Sequence, residues 1–366
     1  MPQQPFAKVL LAVFLACVAA ATASPDCIAA QRSIPFTSAQ VMRSADGNIQ
    51  VTWAARGITH VQVLASTDAS KIDLHHIVAK GSGTGSTAIV GLSDAPRWYF
   101  DLVPDHGDAL IVADRSLHLA TVANLRDVGG YRNARGQWVR MGLAYRSNEL
   151  DRMSSDDLAT LSKLGIKLIC DLRTVSERQR GPDVAPSGVP DINADVLADD
   201  SSQMSALFAP VGNRDAHPPA YQPFNTKDIY RDFVRLASAR QAYHTLFEKL
   251  ADPARLPTLF HCTAGKDRTG WAAVVLLTLL EVPRATIVQD YVLTNTFLQG
   301  DTLKALRSRL YQPNFPSHAL IADPADLQAA FDEVDHEYGS FNNYLARGLG
   351  LDAATIAAIR ANFLAG

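Results

Sequence analysis

The pattern of apolar residues predicts two folded parts. An all-β sandwich spans residues 33–120, and an α/β domain with a parallel sheet flanked by helices spans 121–366. Three observations carry this expectation. Between Ser33 and Ala120 the apolar residues recur with period two. From Asn124 onward short unbroken apolar runs alternate with helical patterns, as in parallel-sheet domains. The length of 366 residues exceeds one ordinary domain.

Composition narrows the classes. Lys+Arg total 34 and Asp+Glu 37, a formal charge of −3, which argues against a nucleic-acid coat or a basic membrane-surface protein. A content of 47% hydrophobic and 19% charged residues suits a globular chain rather than a disordered one. Four cysteines are too few to staple a chain of this size. Residues 1–23 read as an address. Lys8 precedes an apolar run from Val9 to Ala21, and Ala21-Thr22-Ala23 is a small-x-small cleavage pattern. The run is shorter than the roughly 20 residues a membrane span needs. A secretory signal peptide cleaved near Ala23 is therefore expected, leaving a periplasmic or secreted chain with no membrane span. Leu15-Ala16-Cys17 faintly resembles a lipoprotein box, a minor alternative. The mature chain keeps Cys27, Cys170 and Cys262. An odd thiol in an oxidising compartment implies a chemical reason for one of them.

Within the first part, Ile49, Val51 and Trp53 alternate with polar or small neighbours, as do Val61, Val63 and Ala65. Trp98, Phe100 and Leu102 form a third run, and Leu117 and Leu119 a fourth. Asp46-Gly47-Asn48, Gly81-Ser82-Gly83-Thr84-Gly85 and Asp105-His106-Gly107-Asp108 separate such runs as turns. The segment resembles fibronectin III or Ig-like modules. His75-His76 lacks a third metal ligand at a useful spacing and reads as surface.

In the second part, Ser154 opens a helix carrying Leu158, Leu161 and Leu164, which Gly165 stops. Ile166 to Cys170 reads as a buried strand ending at Asp171. Residues 174–224 are proline-rich, a long excursion of the sort that forms functional loops or lids. Asp228 to Leu250 reads as one amphipathic helix, Leu256 to Cys262 as a strand and Trp271 to Leu280 as an apolar helix.

Between that last strand and helix lies His261-Cys262-Thr263-Ala264-Gly265-Lys266-Asp267-Arg268-Thr269-Gly270. Small residues let the backbone curl so that successive N–H groups converge on an anion. The helix that follows adds its own N-terminal N–H groups and dipole. Arg268 offers a planar two-pronged donor to phosphoryl oxygens. Cys262, at the floor of that nest, is favoured as thiolate and can attack phosphorus in line. A nucleotide loop is excluded, because Gly265-Lys266 is followed by Asp267 rather than Ser or Thr. A metal reading of His261-Cys262 lacks a partner pair, and no cofactor is expected.

This string is the C-x5-R loop, and four further motifs stand with it in order. They are Asn124-Leu125-Arg126-Asp127-Val128-Gly129-Gly130-Tyr131, Tyr145-Arg146-Ser147, Asp171-Leu172-Arg173 with Glu177, and Tyr338-Gly339-Ser340-Phe341 with Tyr344-Leu345 and Gly348-Leu349-Gly350. Over residues 120–365 the chain resembles the atypical bacterial tyrosine/lipid phosphatases, a secreted family within the tyrosine phosphatase superfamily. The resemblance implies a tyrosine-phosphatase-like α/β fold. It implies hydrolysis of phosphotyrosine, and of phosphoserine/threonine and phosphoinositides, through a cysteinyl-phosphate. Cys262 would be the nucleophile. Thr263, Ala264, Gly265, Lys266, Asp267 and Arg268 would cradle the phosphoryl group, with Lys266 adding charge at the pocket mouth and Asp267 pairing with it or assisting proton transfer.

The leaving oxygen needs a proton donor. Asp171 is the first choice, because it ends a strand beside the Cys262 strand, on the ligand side of such a sheet. Asp199, Asp200 and Asp267 are the alternatives. Arg126 and Asp127 are expected to pair with each other beneath the site, with direct substrate contact a lesser option for Arg126. Cys170 could approach Cys262 and shield it as a reversible disulfide. The expected partner is a phosphorylated protein or phosphoinositide, not nucleic acid. The rival readings are an inert phospho-binding or adhesion protein and a broad scavenging phosphatase.

Overall fold

A computed structural model describes residues 33–44, 47–69, 71, 76–89, 92, 95–200, 225–300, 303–304 and 320–366. The expectations for residues 1–23, Cys17, Cys27, Asp46 and His75, and for residues 201–224 of the proline-rich excursion, fall outside these. Seven strands come first: β1 (Phe36–Arg43), β2 (Ile49–Ala55), β3 (His60–Ser66), β4 (Ile77–Ser82), β5 (Thr84–Ile89), β6 (Tyr99–Pro104) and β7 (Leu110–Ala113). They form two antiparallel sheets, ordered β1-β2-β5 and β4-β3-β6-β7. Successive side chains on a strand face opposite ways, so Val51 with Trp53, and Val61 with Val63, enter one shared core.

Two expectations for this part need correction. Leu117 and Leu119 are not a strand of the sandwich. They are buried in a different core, with Tyr145, Leu150 and Ile169, and that burial produces their alternation. The Gly81–Gly85 stretch is not wholly a turn. Gly81 lies in β4, Gly85 in β5, and only Gly83 separates the strands. Glycine is needed at both strand positions because the Trp53 indole covers them. A Cβ would stand 2.4 Å from the ring at Gly81 and 2.7 Å at Gly85.

The α/β part contains β8 (Arg126–Asp127), β9 (Trp138–Val139), β10 (Ala144–Ser147), α1 (Ser155–Lys163), β11 (Leu168–Asp171), α2 (Val175–Arg180), β12 (Asp191–Asn193), α3 (Thr226–Arg235), α4 (Ala237–Ala251), β13 (Thr258–His261), α5 (Arg268–Leu279), α6 (Arg284–Val292), α7 (Thr294–Phe297), α8 (Pro324–Tyr338), α9 (Ala353–Phe363) and β14 (Leu364–Ala365). Its main sheet runs β12-β11-β13-β10-β8, with β8 antiparallel to β10 and the other pairs parallel. Each strand feeds both faces. Ala144, Cys170 and Phe260 pack with α3, α4, α5 and α8, while Tyr145, Ile169 and Leu259 pack on the face carrying α1. α5 is buried on nearly every side, which explains its unbroken apolar run. Ser154 caps α1 by accepting from the Asp157 N–H, and Gly165 follows that helix at φ 68°.

The single helix expected over Asp228–Leu250 is two. Leu236 breaks it with an extended ψ of 137°. Asp199, from a distant segment, accepts from the Ser238 N–H at 2.7 Å, and Ser238 Oγ donates to Val196 O at 3.0 Å. Thus α4 receives its N-terminal cap from elsewhere in the chain, which local periodicity does not register.

The sandwich and the α/β part share contacts. Trp138 and Met141 belong to the sandwich core. Trp138 Nε1 donates to Phe36 O at 3.3 Å, and Arg97 pairs with Asp127 at 2.7 Å with both side chains buried.

Candidate active site

The loop joins β13 to α5, and its shape follows from where its carbonyls go. Glu149 N–H donates to Thr263 O at 3.1 Å, Asn124 Nδ2 to Ala264 O at 3.0 Å, and Arg146 Nη2 to Gly265 O at 2.9 Å. In a trans peptide the C=O and the next N–H point opposite ways. Fixing three successive carbonyls outward therefore turns the N–H groups of Ala264, Gly265 and Lys266 the other way. Gly265 sits at φ 69°, and a Cβ there would lie 2.4 Å from Ser147 O, so the curl requires glycine.

Cys262 is buried at the start of this curl. Arg268 opens α5, and its guanidinium forms a two-pronged pair with Glu177, at 2.7 and 2.8 Å. Thr263 Oγ1 donates to the same carboxylate. Burial alone would raise the Glu177 carboxyl, but Arg268 and Thr263 outweigh it and hold the carboxyl down at about 2. Glu177 is thus a fixed anion that aims the arginine. It also closes the capping box of α2 with Thr174. Its place near Arg173 was visible in the motif, but its pairing with Arg268 was not.

Asp171 ends β11 directly opposite His261 in the parallel register. Both its oxygens face Arg173: Nε lies at 3.0 and 3.1 Å, and Nη2 at 2.9 Å. Arg173 also reaches Asp183 at 2.8 Å and Glu149 at 3.5 Å. His261 Nε2 lies 2.9 Å from Asp183 Oδ2. Burial would strip the imidazole of its proton, but Asp171 and Asp183 raise it to about 9. Asp171, Asp183 and His261 stand close enough together for a metal ion. The cation already placed against both carboxylates is the Arg173 guanidinium. Asp183 and Glu149 carried no sequence signal, because neither lies in a recognisable motif.

The other expected residues fall as follows. Lys266 is not at an open mouth. It is buried, donating to Ile321 O at 3.1 Å, with Asp267 Oδ1 also at 3.1 Å. Asp267 is partly exposed and accepts from Tyr230 OH at 2.8 Å. Asp199 serves as the α4 cap, and Asp200 follows it with its N–H on Leu197 O. Arg126 and Asp127 do not pair with each other. Neighbours on a strand face opposite ways, so Asp127 meets Arg97 while Arg126 turns toward Asp290. Cys170 and Cys262 are both free thiols, and burial, with Asp171 beside it, pushes the Cys170 thiol well up. A thiol so disposed is a poor nucleophile.

A profile of the tyrosine phosphatase family matches residues 117–365. The chain belongs to the tyrosine phosphatase family. It is 32% identical over 271 residues to the triple specificity protein phosphatase PtpB of Mycobacterium tuberculosis, covering 65% of this chain and 95% of that one. A protein of Cupriavidus necator named as a tyrosine-protein phosphatase is 32% identical over 272 residues, covering 72% of this chain and 94% of that one. Among its described residues this tyrosine phosphatase carries seven strands ahead of its main α/β sheet. None of its described helices is long and apolar enough to cross a membrane.

Proposed function

We propose that this phosphatase cleaves phosphomonoesters through a phosphocysteine on Cys262. The observation that carries the reading is the loop itself, with three carbonyls tied outward, a buried thiol at its start and an arginine aimed by Glu177. The Cys262 sulfur attacks phosphorus as the ester oxygen leaves and takes a proton. Water then attacks the phosphocysteine, releasing inorganic phosphate and restoring the thiolate. Arg268 and the loop N–H groups stabilise the equatorial oxygens in both steps. The proton donor is assigned to Asp267 rather than Asp171. Both oxygens of Asp171 are held by the Arg173 guanidinium and its side chain is buried, whereas Asp267, though its Oδ1 meets Lys266 and Tyr230, adjoins the loop and is partly exposed. Asp171 then becomes a positioning residue, fixing Arg173 and His261 beneath the loop.

The substrates are those the family resemblance implies, phosphotyrosine first, with phosphoserine, phosphothreonine and phosphoinositides as further candidates, and a relative named a triple specificity protein phosphatase supports a broad range. Export through residues 1–23 completes the reading and is checked by N-terminal sequencing of the protein recovered outside the cytoplasm. The mechanism is tested with p-nitrophenyl phosphate. Cys262→Ser should lower kcat by roughly 10⁴-fold or more. Acid quenching of wild type should give a peptide containing Cys262 heavier by one phosphoryl group. Turnover that survives Cys262→Ser would overturn the assignment. Comparing kcat/KM across phosphotyrosine, phosphoserine and phosphoinositide substrates tests the specificity.

A further inference from the structure

A cavity of about 570 Å³ lies between the sandwich and the α/β part, away from the phosphate loop. Gln40 and Met42, on the exposed face of β1, form one side. Leu293 and Phe297 supply apolar wall from the α6–α7 region, and Arg115 and Arg126 supply charge. The volume falls in the usual range for a small-molecule site.

The charge count around this cavity does not close. Three guanidinium groups converge on the single carboxylate of Asp290. Arg115 Nη2 is 2.5 Å and Arg126 Nε 3.5 Å from Oδ1, and Arg146 Nη1 is 2.7 Å from Oδ2. The neighbouring carboxylates are engaged elsewhere. Asp127 pairs with Arg97 at 2.7 Å, and the oxygens of Asp114, which also lines the cavity, are held by the Arg43 and Ser116 N–H groups and by His118 Nε2. Arg126 is completely buried, and among the described residues its Nε has no hydrogen-bond acceptor. Burial and the nearby Arg146 push that guanidinium down to about 9, so it is still charged at neutral pH. The Nη groups of Arg126 are taken by Asn124, Asp290 O and Thr294, so what is left over is one buried N–H and a share of one carboxylate among three cations, which is costly unless something neutralises it.

We propose that this junction cavity binds a small organic oxyanion, its charged head on Arg115 and Arg126 and its apolar body against Phe297, Leu293 and Met42. The walls connect to the phosphate loop. Arg126 donates to the Asn124 side chain, which holds Ala264 O, and Arg146 joins Asp290 to Gly265 O. The site is distinct from the phosphate loop, and its chemistry does not depend on Cys262.

Benzoate is a suitable probe, with one anionic head on a flat apolar body. Isothermal titration of benzoate into the full chain should show binding, and benzamide, the same body without charge, should show none. Arg115→Gln should weaken benzoate at least tenfold. Gln40→Trp, which fills the cavity from an exposed strand position, should abolish it. Gln40→Trp alone decides if Arg115→Gln does not fold. Absence of binding at millimolar benzoate, equal binding of benzamide, or undiminished affinity in Gln40→Trp would overturn the proposal.

Discussion

The residues around Cys262 settle their charges among themselves. His261, Arg173, Asp171, Asp183 and Glu149 form a buried cluster beneath the loop, and in it His261 is held protonated. The imidazole titrates near 9 when folded and near 6.5 otherwise. A raised value means that its stabilisation is complete below pH 6.5 and is lost as pH rises through 9. The loss should be of order 3 kcal/mol at most. Urea denaturation at about pH 6 and about pH 10 checks this, and His261→Asn should flatten the difference. The proton donor is a second prediction at this scale. Asp267→Asn should cost roughly 10²–10⁴-fold on alkyl phosphates, whose leaving oxygen needs a proton, and far less on p-nitrophenyl phosphate. Asp171→Asn should instead lower stability, and its effect should not depend on the leaving group. The reverse pattern would return the acid to Asp171.

The elements show how much could be read without a structure. The strand–loop–helix around Cys262 was legible because its signal is contiguous: the cysteine, the small residues and the arginine lie within ten positions. The caps of α1 were legible for the same reason. The neighbouring of the Asp171 and Cys262 strands was also legible, but the side-chain pairings assembled from far apart escaped. Glu177 reaches Arg268, Asp199 caps α4 and Leu117 joins a core beyond the sandwich, and no local period encodes such pairings. Gly265 stands on the boundary between the two cases. Its smallness was visible, but the Ser147 carbonyl that demands it lies on another strand. Gly265→Ala would force a Cβ to 2.4 Å from Ser147 O at φ 69°. The loop must shift to admit it, and displacing the N–H groups should lower kcat/KM by about 10²-fold or more. Circular dichroism should still show a folded chain, since the strain is confined to one turn. Wild-type kcat/KM in Gly265→Ala would show that the curl does not need the close approach.

At the scale of the whole molecule the sandwich is built into the phosphatase rather than hung from it. Residues 33–366 form one compact unit, and Trp138 and Met141 complete the sandwich core from the catalytic side. The C-terminal strand β14 pairs with β9, and so ties the end of the chain to the strand that bears Trp138. The decisive joint is Arg97 with Asp127. Arg97 reaches Asp127 at 2.7 Å and Tyr145 OH at 2.8 Å, and Asp127 also accepts from Gly129 N at 2.7 Å and Gly142 N at 2.6 Å. Asp127 therefore anchors the turn on which β8 and β10 depend, and β10 carries the Arg146 that pins Gly265. Arg97→Met removes the counter-charge and leaves a buried carboxylate paired only with N–H groups. The expected cost is about 3–5 kcal/mol, read as a lowered urea midpoint. Arg97→Met with Asp127→Asn removes both charges and should recover part of that loss, because the desolvated anion is gone. The loop hangs from β10, so kcat/KM should fall in the single variant and recover partly in the double. A sandwich that were only an appendage would unfold in its own transition and leave turnover on p-nitrophenyl phosphate unchanged. One coincident transition, by fluorescence and by activity, is the outcome this joint requires.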